Sequence, residues 1–298
     1  MTTALLATSL SAPPRLEGPI GLVGLGLIGG SLGLDLQARG LEVRALVHRQ
    51  ATAERARQRG LASAVSLDPS ILQDCALVVL ALPLDRLLAP EPALVEAIPA
   101  QAVVTDVGSV KAPVLACWSG LHPRFVAGHP MAGTASAGVE AGQRGLFAGR
   151  PWVLTPTPHT DPAALDQLCG LVAAVEARCL VGDAADHDRA VALISHLPVL
   201  VSAALLQGVD GCARQQGGAL PELVRALASS GFADTTRVGG GNPELGTLMA
   251  RCNREALQTA LAAYRRSLEQ LEQCLAEERW PALQEELSTC QRLRPEFL

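Results

Sequence analysis

Two stretches of this sequence hold residue types that do chemistry. Gly128-His129-Pro130-Met131-Ala132-Gly133-Thr134 sets an imidazole in a glycine-rich loop, and about a hundred residues earlier Gly24-Leu25-Gly26-Leu27-Ile28-Gly29 spaces three glycines as G-x-G-x-x-G. A histidine titrating near its ordinary value, about 6.5, accepts a proton at neutral pH and can serve as a general base. The glycine spacing suits a dinucleotide: one glycine for the tight turn, one for backbone approach to the pyrophosphate, one for close helix–strand packing. Amides at the helix start then face the anion. Taken alone each signal is ambiguous, because turns collect Gly and Pro for their own reasons.

The surrounding elements give both stretches a place. Pro19 to Gly24 reads as a short apolar strand, Gly29 to Arg39 continues at helical spacing, and Leu41 to His48 returns to a strand pattern. The alternation persists through a helix at Ala51–Arg59, a strand at Ala76–Leu82, a helix at Leu84–Ile98 and a strand at Ala102–Asp106. A helix at Val110–Trp118 follows, then strands at Arg124–Ala127 and Trp152–Thr155. This rhythm predicts a parallel sheet with helices on both faces, whose ligands sit beyond the carboxyl ends of the strands. Leu27, Ile28 and the three glycines then become cofactor-binding candidates, and His129, just past a strand, opens into the same crevice.

The second strand ends in Val47-His48-Arg49-Gln50, with no acid to hold ribose hydroxyls. Arg49 can make charge-assisted bonds to a 2′-phosphate and His48 can assist or stack on adenine, so NADP is favoured over NAD. As an alternative, Arg49 is a solvated loop arginine. Thr105-Asp106-Val107-Gly108-Ser109-Val110-Lys111 closes another strand, and Ser109 reads as a helix cap, a ligand contact or both. Lys111 is the chain's sole lysine, either by chance or because a compact ammonium is required there.

After Thr155 a proline link and a helix at Pro162–Glu176 lead to a strand-like Cys179–Val181, and from Asp183 the sequence is almost entirely helical, at Asp186–Leu206, Pro221–Ser229, Pro243–Arg251, Glu255–Glu277 and Pro281–Leu293. The expected organisation is a flexible tail over residues 1–18, a Rossmann-type dinucleotide-binding domain over 19–158 and an all-helical substrate and dimerisation domain over 159–298. The helix around Ala190–Leu206 is apolar nearly all round, so other helices must enclose it, and a second subunit is an additional candidate for that cover, which favours a dimer. In this half Ser195-His196-Leu197-Pro198 and Asp234-Thr235-Thr236-Arg237 stand out. Alone, His196 reads as a satisfied core histidine and Arg237 as a surface arginine. His122, His159 and His187 are assigned to surface or loop.

Composition narrows the class. With 298 residues, 49% of them hydrophobic and 18% charged, disorder is excluded and two domains are expected. A net charge of -5 argues against a nucleic-acid surface. The eight cysteines are scattered without Cys-x-x-Cys or zinc spacing, which reads as reduced core thiols in a cytoplasm and no metal. The opening apolar run, Ala4–Leu10, lacks a basic flank and the length to span a bilayer, so no membrane partner is expected.

Six motifs in order, Gly24–Ser31, Asp106–Lys111, Gly128–Thr134, Leu146–Thr155, Ser195–Pro198 and Gly231–Arg237, resemble the prephenate/arogenate dehydrogenase family of tyrosine biosynthesis, most of all its cyanobacterial arogenate dehydrogenases. The resemblance implies an NADP-dependent oxidative decarboxylation of arogenate to tyrosine by a homodimer. Hydride leaves ring C4 for the nicotinamide, the ring carboxylate departs as CO2, and the ring becomes aromatic. His129 matches the base that takes the C4 hydroxyl proton, and Ser109 the serine that positions that hydroxyl and the nicotinamide. His196, Arg237 and Thr134 match substrate-binding positions, the arginine pairing with a carboxylate. Feedback, if present, is expected at the active site.

Two departures bear on substrate choice: Ala135 where the family often has Glu, and Ala233 where it often has a basic residue. The alternatives are therefore a prephenate dehydrogenase giving 4-hydroxyphenylpyruvate and, from another class, a non-catalytic NADP(H)-sensing regulator. A β-hydroxyacid dehydrogenase, which resembles this domain order, needs a lysine in the helical half, and there is none.

Overall fold

The computed structural model describes residues 6–7 by backbone alone, 16–134 and 136–297. Its first half consists of β1 (Leu6–Ala7), β2 (Ile20–Val23), α1 (Leu27–Ala38), β3 (Val43–Leu46), α2 (Gln50–Gln58), β4 (Ala64–Ser66), β5 (Leu77–Leu80), α3 (Leu84–Leu88), α4 (Pro92–Ala97), β6 (Val103–Asp106), α5 (Ala112–Trp118), β7 (Ala127–Pro130), β8 (Pro151–Thr155), α6 (Pro162–Ala174) and β9 (Arg178–Val181). Five strands form a parallel sheet in the order β4-β3-β2-β5-β6. β2 and β5 lie inside it and are buried at every residue, which is why they read as unbroken apolar runs. One core, around Leu22, Leu32, Val79 and Leu168, fills one face, and another, around Val78, Leu87, Val104 and Trp118, fills the other.

The expected parallel sheet with helices on both faces is present, with three differences in detail. β4 was not anticipated, being only three residues long. The expected strand at Arg124–Ala127 lies further on, at Ala127–Pro130, and runs antiparallel to β8 in a second sheet of order β1-β9-β8-β7. A parallel bridge between Val104 and Phe125 joins the two sheets. The expected helix at Leu84–Ile98 breaks into α3 and α4 because Pro90 bars Ala89 from helical backbone, leaving it at φ -138° and ψ 66°.

The expected boundary at residue 158 moves. α6 places Leu168, Leu171 and Val172 in the first core, and β9 pairs with β8, so the sheet half extends to Val181. Of the expected tail, Leu6–Ala7 forms a strand against β9, and the rest up to residue 15 lies outside the described residues.

The second half consists of α7 (Ala184–Val191), a π turn (Ala192–His196), α8 (Leu197–Gln216), α9 (Leu220–Leu227), α10 (Ser230–Thr236), α11 (Pro243–Cys252), α12 (Arg254–Ala276) and α13 (Trp280–Leu293). α10 was not anticipated and forms just past the expected helix at Pro221–Ser229. The π turn has a local cause: the ring of Pro198 crowds the carbonyl four residues back and Pro198 has no N–H, so the helix widens before it. α7 packs on α5 and α11 on α3, docking the helical half against the sheet half. The run Ala184–Gln216 is long and apolar enough to cross a membrane, yet the helical half covers little of it. Leu205, Leu223, Leu227 and Leu268 are exposed, and an apolar groove of about 550 Å³ lies between α8, α9 and α12. The cysteines are only partly core residues: Cys75, Cys169 and Cys274 are buried, whereas Cys212 and Cys290 are exposed.

Candidate active site

The glycine-rich turn connects β2 to α1 as the spacing predicts. Gly24 has φ +94°, and a side chain on Gly29 would press to 2.0 Å from the Gly24 carbonyl, so both positions require glycine. Gly26 caps α1 without a side chain, and nothing lies within 4 Å of where its Cβ would be. The start of α1 is therefore uncrowded at Gly26, and the amides of a first helical turn, here Leu27 and Ile28, have no partner within their own helix, as a cradle for an anion needs. A cavity of about 410 Å³ continues from Val23 and Gly24 past His48 and Arg49 to Asp85, Arg86 and Glu91. The residues present fit a dinucleotide with its pyrophosphate on α1 and its adenosine end in this cavity. Arg49 Nε is 2.9 Å from His48 Nε2, so these two side chains form one wall. Arg86, which the sequence did not single out, faces the same space beside Glu91 at 3.4 Å.

At the carboxyl end of β6 the buried carboxylate of Asp106 ties three segments together. It accepts from Gly108 N at 2.8 Å, from Gly128 N at 3.1 Å and from the ammonium of Lys111. Lys111 Nζ also donates to the Gly128 carbonyl at 2.6 Å, and both side chains of the ion pair are fully buried. The sole lysine thus holds the strand bearing His129 against the corner after β6 that bears Ser109. Burial pushes its pKa down, opposed by Asp106 and Asp188. Ser109 is half-buried on this corner and does not cap α5, which begins after Lys111 with no side-chain cap of its own. Asp188 from α7 does that work, accepting from Lys111 N at 2.7 Å and Ala112 N at 2.8 Å.

His129 lies within β7 and is 9% exposed. Its Nδ1 is 2.9 Å from Nε2 of His187, whose Nδ1 is 2.8 Å from Asp188 Oδ1. His187 is therefore buried in the site, not at a surface or loop; His122 is also buried, against the Pro99 carbonyl at 3.1 Å. Burial, then His187, Lys111 and His196, hold His129 well below its ordinary value. His196 sits on the π turn with 1% exposure, and its Nδ1 faces Asn253 Nδ2 at 3.1 Å. Asn253 donates its other proton to the Asp188 carbonyl at 2.7 Å. A neutral imidazole accepting at Nδ1 carries its proton on Nε2, and that atom is buried without a partner among the described residues. Burial pushes the His196 pKa down to about 4, so the ring stays neutral and its Nε2–H remains a donor.

His129, His196 and the Ser109 corner are thus brought together, with His187, Asp188 and Asn253 behind them. Thr134 is exposed and its hydroxyl accepts from Ser136 N at 3.2 Å. Arg237 is exposed at the end of α10, with no hydrogen bond or ion pair among the described residues. Ala135 lies outside the described residues, and Ala233 is exposed on α10.

Two family models match the chain in succession. The prephenate dehydrogenase nucleotide-binding domain covers residues 32–181, and the prephenate dehydrogenase dimerization domain covers residues 183–289. The chain belongs to the prephenate dehydrogenase family. The division between the two matched domains coincides with the end of β9. Among solved structures of the family, the arogenate dehydrogenase of Synechocystis is 42% identical, with TM-score 0.80, covering 94% of this chain and all of that one. Prephenate dehydrogenase from A. aeolicus, solved with hydroxyphenyl propionate and NAD+, is 26% identical with TM-score 0.86, covering 98% of this chain and all of that one. The prephenate dehydrogenase of Bacillus subtilis is 31% identical over 78% of this chain, which spans 63% of that relative's length.

Proposed function

We propose that this member of the prephenate dehydrogenase family catalyses the NADP-dependent oxidative decarboxylation of arogenate to tyrosine. The observation that carries the reading is the buried imidazole of His129 near the buried His196, whose Nε2 has no partner among the described residues. The 42% identity to the Synechocystis arogenate dehydrogenase supports arogenate. When bound, the oxidised nicotinamide supplies the acceptor for the C4 hydride.

The chain's own residues align the ring and move one proton. His129 accepts the C4 hydroxyl proton as the C–H bond breaks, and C4 becomes a carbonyl conjugated through the ring to the carbon bearing the carboxylate. Loss of CO2 sends the C–C bonding pair through the ring to that oxygen, giving a phenolate, which recovers a proton from the imidazolium. Ser109 donates to the C4 oxygen as charge collects there. His196 offers its Nε2–H to an oxygen of the substrate, and Arg237, unpaired among the described residues, supplies a cation for a carboxylate. Thr134 completes the substrate set. We assign no metal. A second copy covers the apolar faces of α8, α9 and α12, making a homodimer, and the enzyme is cytoplasmic.

Purified protein assayed with arogenate or prephenate, each with NADP+ or NAD+, tests the reading through the absorbance of the reduced cofactor. The arogenate–NADP+ pair should give the highest kcat/KM. Preference for prephenate would reassign the substrate, as the name of the A. aeolicus relative suggests, and silence with all four pairs would leave a nucleotide-binding regulator. For the cofactor, Arg49→Ala should weaken NADP+ roughly 10–100-fold, the worth of hydrogen bonds to a charged group, while NAD+ affinity changes little. Nucleotide titration checks this, and an unchanged ratio would move the choice to another residue.

The pH profile follows from the depressed His129 pKa. The competent base is neutral, so a lowered value extends activity toward acid, and turnover is lost only as pH falls through that value. The acid limb of kcat/KM should lie below the ordinary histidine value of 6.5, with a level stretch from there through neutrality. A limb at or above 6.5 would mean that His129 is not the titrating base or is not buried in the working enzyme.

A further inference from the structure

We propose that His187 is a positioning residue that fixes the proton of His129 on Nδ1 and, with Asp188, shares the positive charge His129 acquires. The inference rests on the reading of His129 as the base. The direction of each hydrogen bond follows from what its ends can do. A carboxylate only accepts, so the 2.8 Å contact with Asp188 Oδ1 places the proton of neutral His187 on Nδ1. His187 Nε2 is then a lone pair, and the 2.9 Å contact makes His129 Nδ1 the donor. His129 Nε2 is left bare, which is the atom a base needs. A free neutral imidazole favours the opposite tautomer, with its proton on Nε2, so the working form has to be imposed.

Neighbouring groups do not take over this role. Lys111 Nζ is committed to Asp106 and the Gly128 carbonyl, and His196 Nδ1 is held by Asn253. The charged or titratable groups around His129 are therefore Lys111 and Asp106 from the β6 corner, His187 and Asp188 from α7, and His196 from the π turn. Of these only His187 bonds its ring. When Nε2 takes the substrate proton, Nδ1–H can pass toward His187 Nε2, and the charge then lies next to Asp188. Returning the proton to the phenolate reverses the shift, so no other reagent is consumed. Asp188 also accepts the amides of Lys111 and Ala112, so docking of the helical half sets both the tautomer and the Ser109 corner.

Nitrogen NMR of the full-length protein labelled with 15N-histidine tests this, the His129 signals being assigned as those lost in His129→Asn. Wild type should show His129 protonated on Nδ1 with Nε2 bare. His187→Leu should shift it to the Nε2–H form and lower kcat about 10²–10³-fold, with KM within about three-fold, as loss of an orienting partner does. His187→Gln, whose amide oxygen can accept from Nδ1–H, should restore kcat to within about ten-fold of wild type. Wild-type His129 in the Nε2–H form, or a His187→Leu enzyme with undiminished kcat, would overturn the proposal. If the leucine variant does not fold, the wild-type tautomer decides. An Nδ1–H tautomer in a protein that turns over neither substrate would remove the functional reading and leave the positioning intact.

Discussion

His129→Asn should lower kcat about 10²–10⁴-fold, the range for losing a positioned general base, while NADP+ affinity stays within about two-fold and folding is undisturbed. Asparagine makes this a sharp experiment. Its amide nitrogen can stand where His129 Nδ1 stands and donate to His187 Nε2, so the contact beneath the ring survives while the atom corresponding to Nε2 is lost. The cofactor cradle, built from Gly24, Gly26 and the start of α1, does not involve the imidazole. Kinetics with saturating cofactor, nucleotide titration and thermal unfolding give the three numbers. A parallel fall in cofactor affinity would assign His129 to binding, and a kcat within a few-fold of wild type would end its role as base.

This separation explains which parts of the site were legible in the sequence. The cradle was, because each glycine answers to a local backbone demand that spacing alone encodes: Gly24 to its positive φ, Gly29 to contact with the neighbouring carbonyl. The parallel sheet was legible for a similar reason, since β2 and β5 are buried on both faces and must be apolar throughout. His129 was placed one element too late, past a strand instead of within β7, because Pro130 and the glycines around it resemble a turn. His187 was missed. It lies nine residues before His196, and at about 100° per residue an unbroken α-helix would set the two on opposite sides. The π turn at Ala192–His196 unwinds the helix between them and brings both rings toward the crevice, a shift that 3.6-residue periodicity does not contain. Asn253 gave no signal, since its role is to connect Asp188 with His196 from 65 and 57 residues away along the chain. The partners of Arg237 were equally out of reach. An exposed guanidinium gains meaning only from what approaches it.

Lys111→Met should destabilise the fold by about 3–5 kcal/mol, the cost of leaving one member of a buried ion pair uncompensated. The carboxylate of Asp106 would keep two backbone N–H bonds but lose the one cation paired with it among the described residues, in a site with no solvent exposure, and the Gly128 carbonyl would lose the Lys111 donor. Lys111→Arg should not rescue it, because the ammonium fills a space enclosed on all sides and a guanidinium needs more volume and a planar partner. The informative comparison is with the double variant that also carries Asp106→Asn. A neutral amide removes the stranded charge, at the loss of one of the two backbone N–H bonds that the carboxylate oxygens accept, so the double variant should be more stable than the sum of the single effects. Denaturant unfolding of all four proteins measures that coupling. Additive losses, or a single-variant cost under about 1 kcal/mol, would show that the lysine is a passive occupant of the sheet edge. A coupled loss would mean that the sole lysine is retained for its compact shape, holding the His129 strand to the Ser109 corner so that base and hydroxyl meet the same oxygen.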